Sequence, residues 1–140
     1  MCRHINILAV DNDSDNLVIL GMALALDPAV NVCTSPSAFR ALQIVRDGTF
    51  QPDLALLDGH FSDVGTRTLA SHLNEIGVPV VIMTCGMSKA DAAEFVADGA
   101  MAVMLKPYDP LTLARELRRH LTVGHGLKKM DLREEVHQTV

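Results

Sequence analysis

Four polar residues stand where four apolar runs end. Ile5 to Val10 leads into Asp11, Leu54 to Leu57 into Asp58, Val80 to Met83 into Thr84, and Ala102 to Leu105 into Lys106. Two acids can hold a hard cation through oxygen. A hydroxyl and an ammonium can hold the oxygens of a phosphoryl group. Such a set is fitted to phosphoryl transfer, where catalysis is mostly positioning and charge stabilisation. Taken singly, Thr84 is a strand end and Lys106 a side chain reaching for solvent. Asp13 reads best as a helix cap, because Asp13-Ser14-Asp15 precedes a helical pattern. The joint placement of Asp11, Asp58, Thr84 and Lys106 is what points to chemistry.

The elements that would position them alternate along the chain. Strand-like and helix-like segments repeat five times with short connections, which implies a parallel sheet with helices on both faces. Ligands gather at the carboxyl ends of such strands, so the four residues would meet on one edge. The first helix follows Asp13, with Leu17, Leu20, Gly21 and Leu24 on one face, and Asp27-Pro28 stops it. Val30 to Cys33 is a short, polar strand, expected at an edge, whereas the other four strands read as central. Ser35-Pro36-Ser37 opens a second helix bearing Phe39, Leu42 and Val45, closed by Asp47-Gly48. A third helix is expected from Thr66 to Glu75 with Leu69 and Leu73 inward. A fourth starts at Ser88 with Ala92, Phe95 and Val96 inward. The last starts with Asp109 as cap and Pro110 in its first turn, with Leu113, Ala114, Leu117 and Leu121 as its apolar stripe.

Bulk properties narrow the classes. The 140 residues make one ordinary domain, long enough for a core without staples. No apolar run approaches the ~20 residues of a membrane span. Met1 to His4 runs straight into a strand without a signal peptide's features, so a cytoplasmic protein is expected. Net charge is −5, there is no Trp, and Arg118-Arg119 and Lys128-Lys129 are short pairs expected on solvated helix surface. Direct nucleic-acid binding by this chain is therefore not expected. Cys2, Cys33 and Cys85 are scattered and are expected to be reduced. His4, His72, His120, His125 and His137 show no ligand spacing and are assigned to the surface.

The chain resembles the response-regulator receiver domains of two-component signalling, the CheY-like family. The resemblance rests on Val10-Asp11-Asn12-Asp13, Leu57-Asp58, Met83-Thr84 and Lys106-Pro107, in that order, and covers residues 4 to about 122. It implies a flavodoxin-like (βα)5 three-layer sandwich with a five-stranded parallel sheet of order 2-1-3-4-5. It also implies a receiver domain over 1–122 and a charged tail or linker over 123–140. Asp58 would be the phosphoacceptor, charged by a sensor histidine kinase or a histidine phosphotransfer protein. Mg2+ would be held by Asp11, Asp58 and the backbone carbonyl of His60, with Asn12 a further candidate. Thr84 and Lys106 would bind the phosphoryl group, and Val103 occupies a switch position. Receivers commonly signal through a surface that here runs from Ser88 to Leu121, to a downstream protein or to a second copy in a homodimer. The domain would be regulatory rather than an enzyme, catalysing only the gain and loss of its own phosphoryl group.

The chain departs from the family at three points. Asn12 replaces a second acid, which removes a charge from the metal site. Ser62 stands where a proline is usual. Val103 replaces the aromatic that many receivers rotate, so the signal is expected to be smaller, or read by another surface. Tyr108 follows Lys106-Pro107 and does not stand in for that aromatic. Two other readings compete. Asp11-Asn12-Asp13 fits the D-x-D opening of a haloacid-dehalogenase-type phosphatase, with Asp11 as nucleophile and Asp13 as general acid/base. Asn12 and the altered loop also fit a degenerate receiver that docks constitutively.

Overall fold

Every residue of Leu54–Asp58 and of Val80–Thr84 is buried. A strand buried on both sides needs a layer on each side of its sheet, and that requirement sets the architecture. A computed structural model describes residues 4–58, 64–84, 100, 102–105 and 108–124. In order these form β1 (Ile5–Val10), α1 (Ser14–Ala25), β2 (Val30–Ser35), α2 (Ala38–Arg46), β3 (Leu54–Asp58), α3 (Val64–Glu75), β4 (Val80–Thr84), β5 (Ala102–Leu105) and α4 (Leu113–Gly124). The sheet is parallel in order β2-β1-β3-β4-β5. Helices α1 and α4 pack together, as do α2 and α3, giving the two covering layers. This is the flavodoxin-like three-layer sandwich expected. The helix expected from Ser88 lies outside the described residues, as does the tail expected over 123–140 apart from its first two residues, which end α4. No helix among the described residues is long and apolar enough to cross a membrane.

The core joins Ile7, Leu8, Leu54, Leu56, Leu57 and Val80 of the sheet to Leu20 and Leu24 of α1, Leu69 and Leu73 of α3, and Leu113 and Leu117 of α4. Each such fully buried aliphatic side chain is worth about 1.5–3 kcal/mol in removed apolar surface. Strand β2 lies at an edge as expected. Strand β5 forms the other edge, yet Ala102, Val103 and Met104 are buried. Its apolar composition therefore reflects covered faces and not a central place in the sheet.

Local chemistry fixes the helix ends. Asp13 caps α1 by accepting from the Asp15 and Asn16 amides, and Ser37 caps α2 by accepting from the Arg40 amide. Gly48 and Gly77 take φ of +74° and +80° just after α2 and α3. At each, the next amide reaches back to the helix, Thr49 to Ile44 O and Val78 to Leu73 O, closing the last turn as glycine permits.

Several elements differ from expectation. Helix α3 begins at Val64, ahead of Thr66. Asp109 does accept from the Leu111 amide, but the Thr112 amide bonds Asp109 O in a tight turn, and α4 proper starts at Leu113. Phe39 is 66% exposed. The inward stripe of α2 runs through Ala38, Ala41 and Leu42, and position 39 stands about 100° away from Ala38 around the helix. His120 is buried, contrary to its surface assignment, because it follows Leu113 and Leu117 on the inward stripe of α4 at helical spacing. Arg118 is also not simple solvated surface. Its Nε donates to Asp27 Oδ2 at 2.6 Å, with about a quarter of each side chain exposed.

Candidate functional site

The strand register brings the site together. Val10 pairs with Leu57, so Asp11 follows β1 at the level where Asp58 ends β3. Asp58 pairs with Met83, so Thr84 stands one residue further out on β4. Thr84 pairs with Leu105, the last residue of β5. Neighbouring strands lie about 4.8 Å apart, so two carboxylates and a hydroxyl occupy three adjacent strand ends. All three are buried, Asp11 at 3%, Asp58 at 4% and Thr84 at 5% exposure. Lys106, next after Leu105, lies outside the described residues, as do His60, Ser62 and Cys85.

Asp11 is held from two sides. Its amide donates to Ser35 O at 3.2 Å, which ties the end of β1 to the end of β2. Its Oδ1 accepts from the Asp13 amide at 2.9 Å. Ser35 is itself fixed, with Oγ donating to Ser37 O at 2.8 Å. Asn12 is exposed beside this turn. The Asp13 side chain is exposed and accepts from α1 amides, so it acts as a cap, as the sequence indicates.

Two buried carboxylates side by side favour a hard cation, which removes their mutual repulsion and takes oxygen ligands. Among the described residues no three His, Cys, Asp or Glu side chains converge on a metal position. The donor set here is two acids, which suits a cation that keeps several waters.

One neighbour of the site is visible in the sequence only as an aromatic after Lys106-Pro107. Tyr108 is half-buried and lines a pocket of about 290 Å³ together with Asp11, Asn16 and Ile19. Burial, and after it the negative charge of Asp11, push the Tyr108 phenol above its usual pKa. The available signal was the pattern of α1, which is apolar on more than its inward face, with Val18, Ile19 and Met22 all exposed. Cys33 is half-buried, and burial pushes its thiol up, which keeps it protonated and unreactive.

A doubly wound α/β sheet with acids on adjacent carboxyl ends defines a class in which ligands meet at that edge. The family model for the response regulator receiver domain matches residues 7–118, and the chain belongs to that family. It is similar to the transcriptional regulatory protein ZraR of Escherichia coli K12, 31% identical over 126 residues, covering 89% of this chain and 28% of that protein. It is also similar to the transcriptional regulatory protein YvrH of Bacillus subtilis 168, 29% identical over 122 residues, covering 85% of this chain and 50% of that protein. The chain thus spans from about a quarter to a half of the length of these relatives.

Among solved structures, a CheY-like receiver domain protein from Methanospirillum hungatei matches with TM-score 0.74 at 22% identity, covering 87% of this chain and 97% of that one. A receiver domain protein from Clostridium thermocellum matches with TM-score 0.74 at 20% identity, covering 86% and 97%. The fold agrees with the order expected from the sequence. The family is that of a two-component response regulator receiver, a regulatory role and not an enzyme's. It sets aside the phosphatase reading, for which Asp13 would also need a carboxylate not committed to capping α1.

Proposed function

We propose that Asp58 accepts a phosphoryl group from the phosphohistidine of a sensor histidine kinase or histidine phosphotransfer protein. The observation that carries this reading is the placement of Asp58 at the buried end of β3, between Asp11 and Thr84 on the neighbouring strand ends. An Asp58 oxygen attacks phosphorus as the P–N bond breaks, and the electron pair leaves with the imidazole nitrogen. The product is an acyl phosphate. Later attack of water on phosphorus restores the carboxylate and releases inorganic phosphate, so the domain catalyses both gain and loss of its own signal. Asp11, Asp58 and the His60 carbonyl would hold Mg2+, with Asn12 a further candidate ligand. When bound, the ion would supply positive charge against the phosphoryl oxygens. The Thr84 hydroxyl and Lys106 ammonium hold phosphoryl oxygens, and Val103 lies at the family's switch position.

The receiver spans 1–122 and the tail 123–140, in a cytoplasmic setting. The phosphorylated domain changes its affinity for a downstream protein, or for a second copy, through the surface from Ser88 to Leu121. Curated relatives are named transcriptional regulators and are longer than this chain. With a net charge of −5, this length of chain has little to offer a DNA backbone.

Intact-mass analysis after incubation with acetyl phosphate and Mg2+ tests the reading. Wild type gains one labile phosphoryl group and Asp58→Asn gains none. Label kept by Asp58→Asn but lost in Asp11→Asn overturns it. Lys106→Ala is expected to stay folded and to lose the phosphorylation-dependent NMR shifts around Thr84 and Val103.

A further inference from the structure

Two residues flanking Lys106 differ in their freedom to move. Val103 is fully buried. It is β-branched, hence stiff at χ1, and protein interiors are close-packed. Tyr108 is half-buried and stands against an open pocket. That pocket has Asp11 and Met83 on the sheet side, Ile19 and Leu20 on the α1 side, and Pro110 beside Tyr108 on the chain leading to α4. Tyr108 therefore lies between the acid edge and α1, on the face of the sheet that α1 and α4 cover.

The two sides of this pocket are physically linked. Asp11 lies close enough to bear on the ionisation of the Tyr108 phenol, second to burial itself. An aromatic face is repelled by a carboxylate and attracted to a cation. Screening is weak where groups are withdrawn from water. A cation and a phosphoryl group arriving at Asp11 and Asp58 thus change the field in which the ring sits, and the pocket gives it room to answer. Across the pocket, Ile19 is 52% exposed, so a shift passed to it emerges on the outer face of α1.

Resting on the phosphoacceptor reading above, we propose that Tyr108 carries the state of the acid edge to α1. Occupancy at Asp11 and Asp58 moves its ring within the pocket and changes the packing of α1 at Ile19 and Leu20. This route leaves the site through Asp11 and α1. It does not pass through Val103, the family's switch position, and it reaches a different surface from that running from Ser88 to Leu121.

The chain has one Tyr and no Trp, so its tyrosine emission belongs to Tyr108 alone. Met83 lines the same pocket as Tyr108, so occupancy is read from the fluorine NMR signal of the bound beryllofluoride itself. With Mg2+ and beryllofluoride, wild type is expected to show the bound fluorine signal, change the tyrosine emission, and alter amide exchange at Ile19 and Leu20. Tyr108→Leu is expected to keep the bound signal and lose the α1 response, while Tyr108→Phe keeps both. The inference is overturned if the α1 response survives in Tyr108→Leu, or if wild-type emission stays fixed while the bound signal is present. A wild type that shows no bound fluorine signal overturns the phosphoacceptor reading, and this inference with it.

Discussion

At the amino-terminal end of the sheet acids meet donors from distant parts of the chain, whereas at the carboxyl-terminal end two acids are buried on adjacent strand ends. Asp27, after α1, accepts from Arg118 Nε at 2.6 Å and from the Ala29 amide at 2.9 Å. Asp53, ahead of β3, accepts from the Asn6 amide at 2.9 Å, and its own amide bonds Asn6 O at 2.7 Å. Asn6 also donates to Gln51 O and accepts from Asn31, so three strands are pinned at one level. At the other end, Asp11 and Asp58 occupy adjacent strand ends with Thr84 beyond them. An acid is matched by a distant guanidinium at one end, and the other end holds the acids to which we assign phosphoryl transfer. Substitutions at the two ends should separate stability from phosphoryl transfer.

The largest effect is expected where both ends depend on the same support. Leu57 is fully buried in β3, directly before Asp58. Leu57→Ala should cost about 2–5 kcal/mol through lost burial and the cavity left behind. Urea denaturation checks this. A cost under about 1 kcal/mol would mean that β3 is not the packed centre on which both ends rest.

Next comes the matched end. The Arg118 guanidinium, and then the Ala29 amide, hold the Asp27 carboxyl below the usual carboxylate range. A depressed folded-state pKa means that the ionised form is favoured by folding. Its stabilisation is fully present above the unfolded pKa and is lost as pH falls through the folded one. Below about pH 4, wild type should therefore lose stability that Asp27→Asn does not have to lose. At neutral pH Asp27→Asn should cost about 1–2 kcal/mol, as for a charged hydrogen bond that is partly exposed. Phosphoryl uptake should be unchanged. Uptake falling together with stability would show that the two ends are coupled and would break the comparison.

Legibility in the sequence follows the same division. The carboxyl-terminal edge is readable because it is made of strand ends, and an apolar run announces its own end. Asp11, Asp58 and Thr84 fall on adjacent strands once the run order is known. The pairing of Arg118 with Asp27 spans 91 residues, and no local pattern announces it. His120 looks polar in composition, and only its place on the stripe of α4 reveals that it is buried. Phe39 is apolar in composition, and only its place on the helical period, away from Ala38, Ala41 and Leu42, shows that it is exposed. Tyr108 was visible as an aromatic after Lys106-Pro107, but its position against Asp11 depends on how the chain crosses from β5 towards α4. Contacts that depend on two distant segments meeting are the ones that composition and period do not specify.

The smallest expected effect lies at the carboxyl-terminal end, where charge can be added. Asn12 is exposed and follows Asp11 directly. An acid there would add negative charge to the corner that we assign to Mg2+. Asn12→Asp should tighten Mg2+ binding severalfold in a metal titration, less than a buried acid would, because solvent screens an exposed charge. In metal-free buffer the same substitution should lower stability slightly, since three acids then crowd one corner. Adding Mg2+ should reverse that loss, because a ligand that binds only the folded state stabilises it. The paired signs distinguish this end of the sheet from the other, where Asp27→Asn should respond to pH and not to metal. If Asn12→Asp changes neither Mg2+ affinity nor metal-free stability, Asn12 does not face the acids, and the concentration of charge at this edge ends with Asp11 and Asp58.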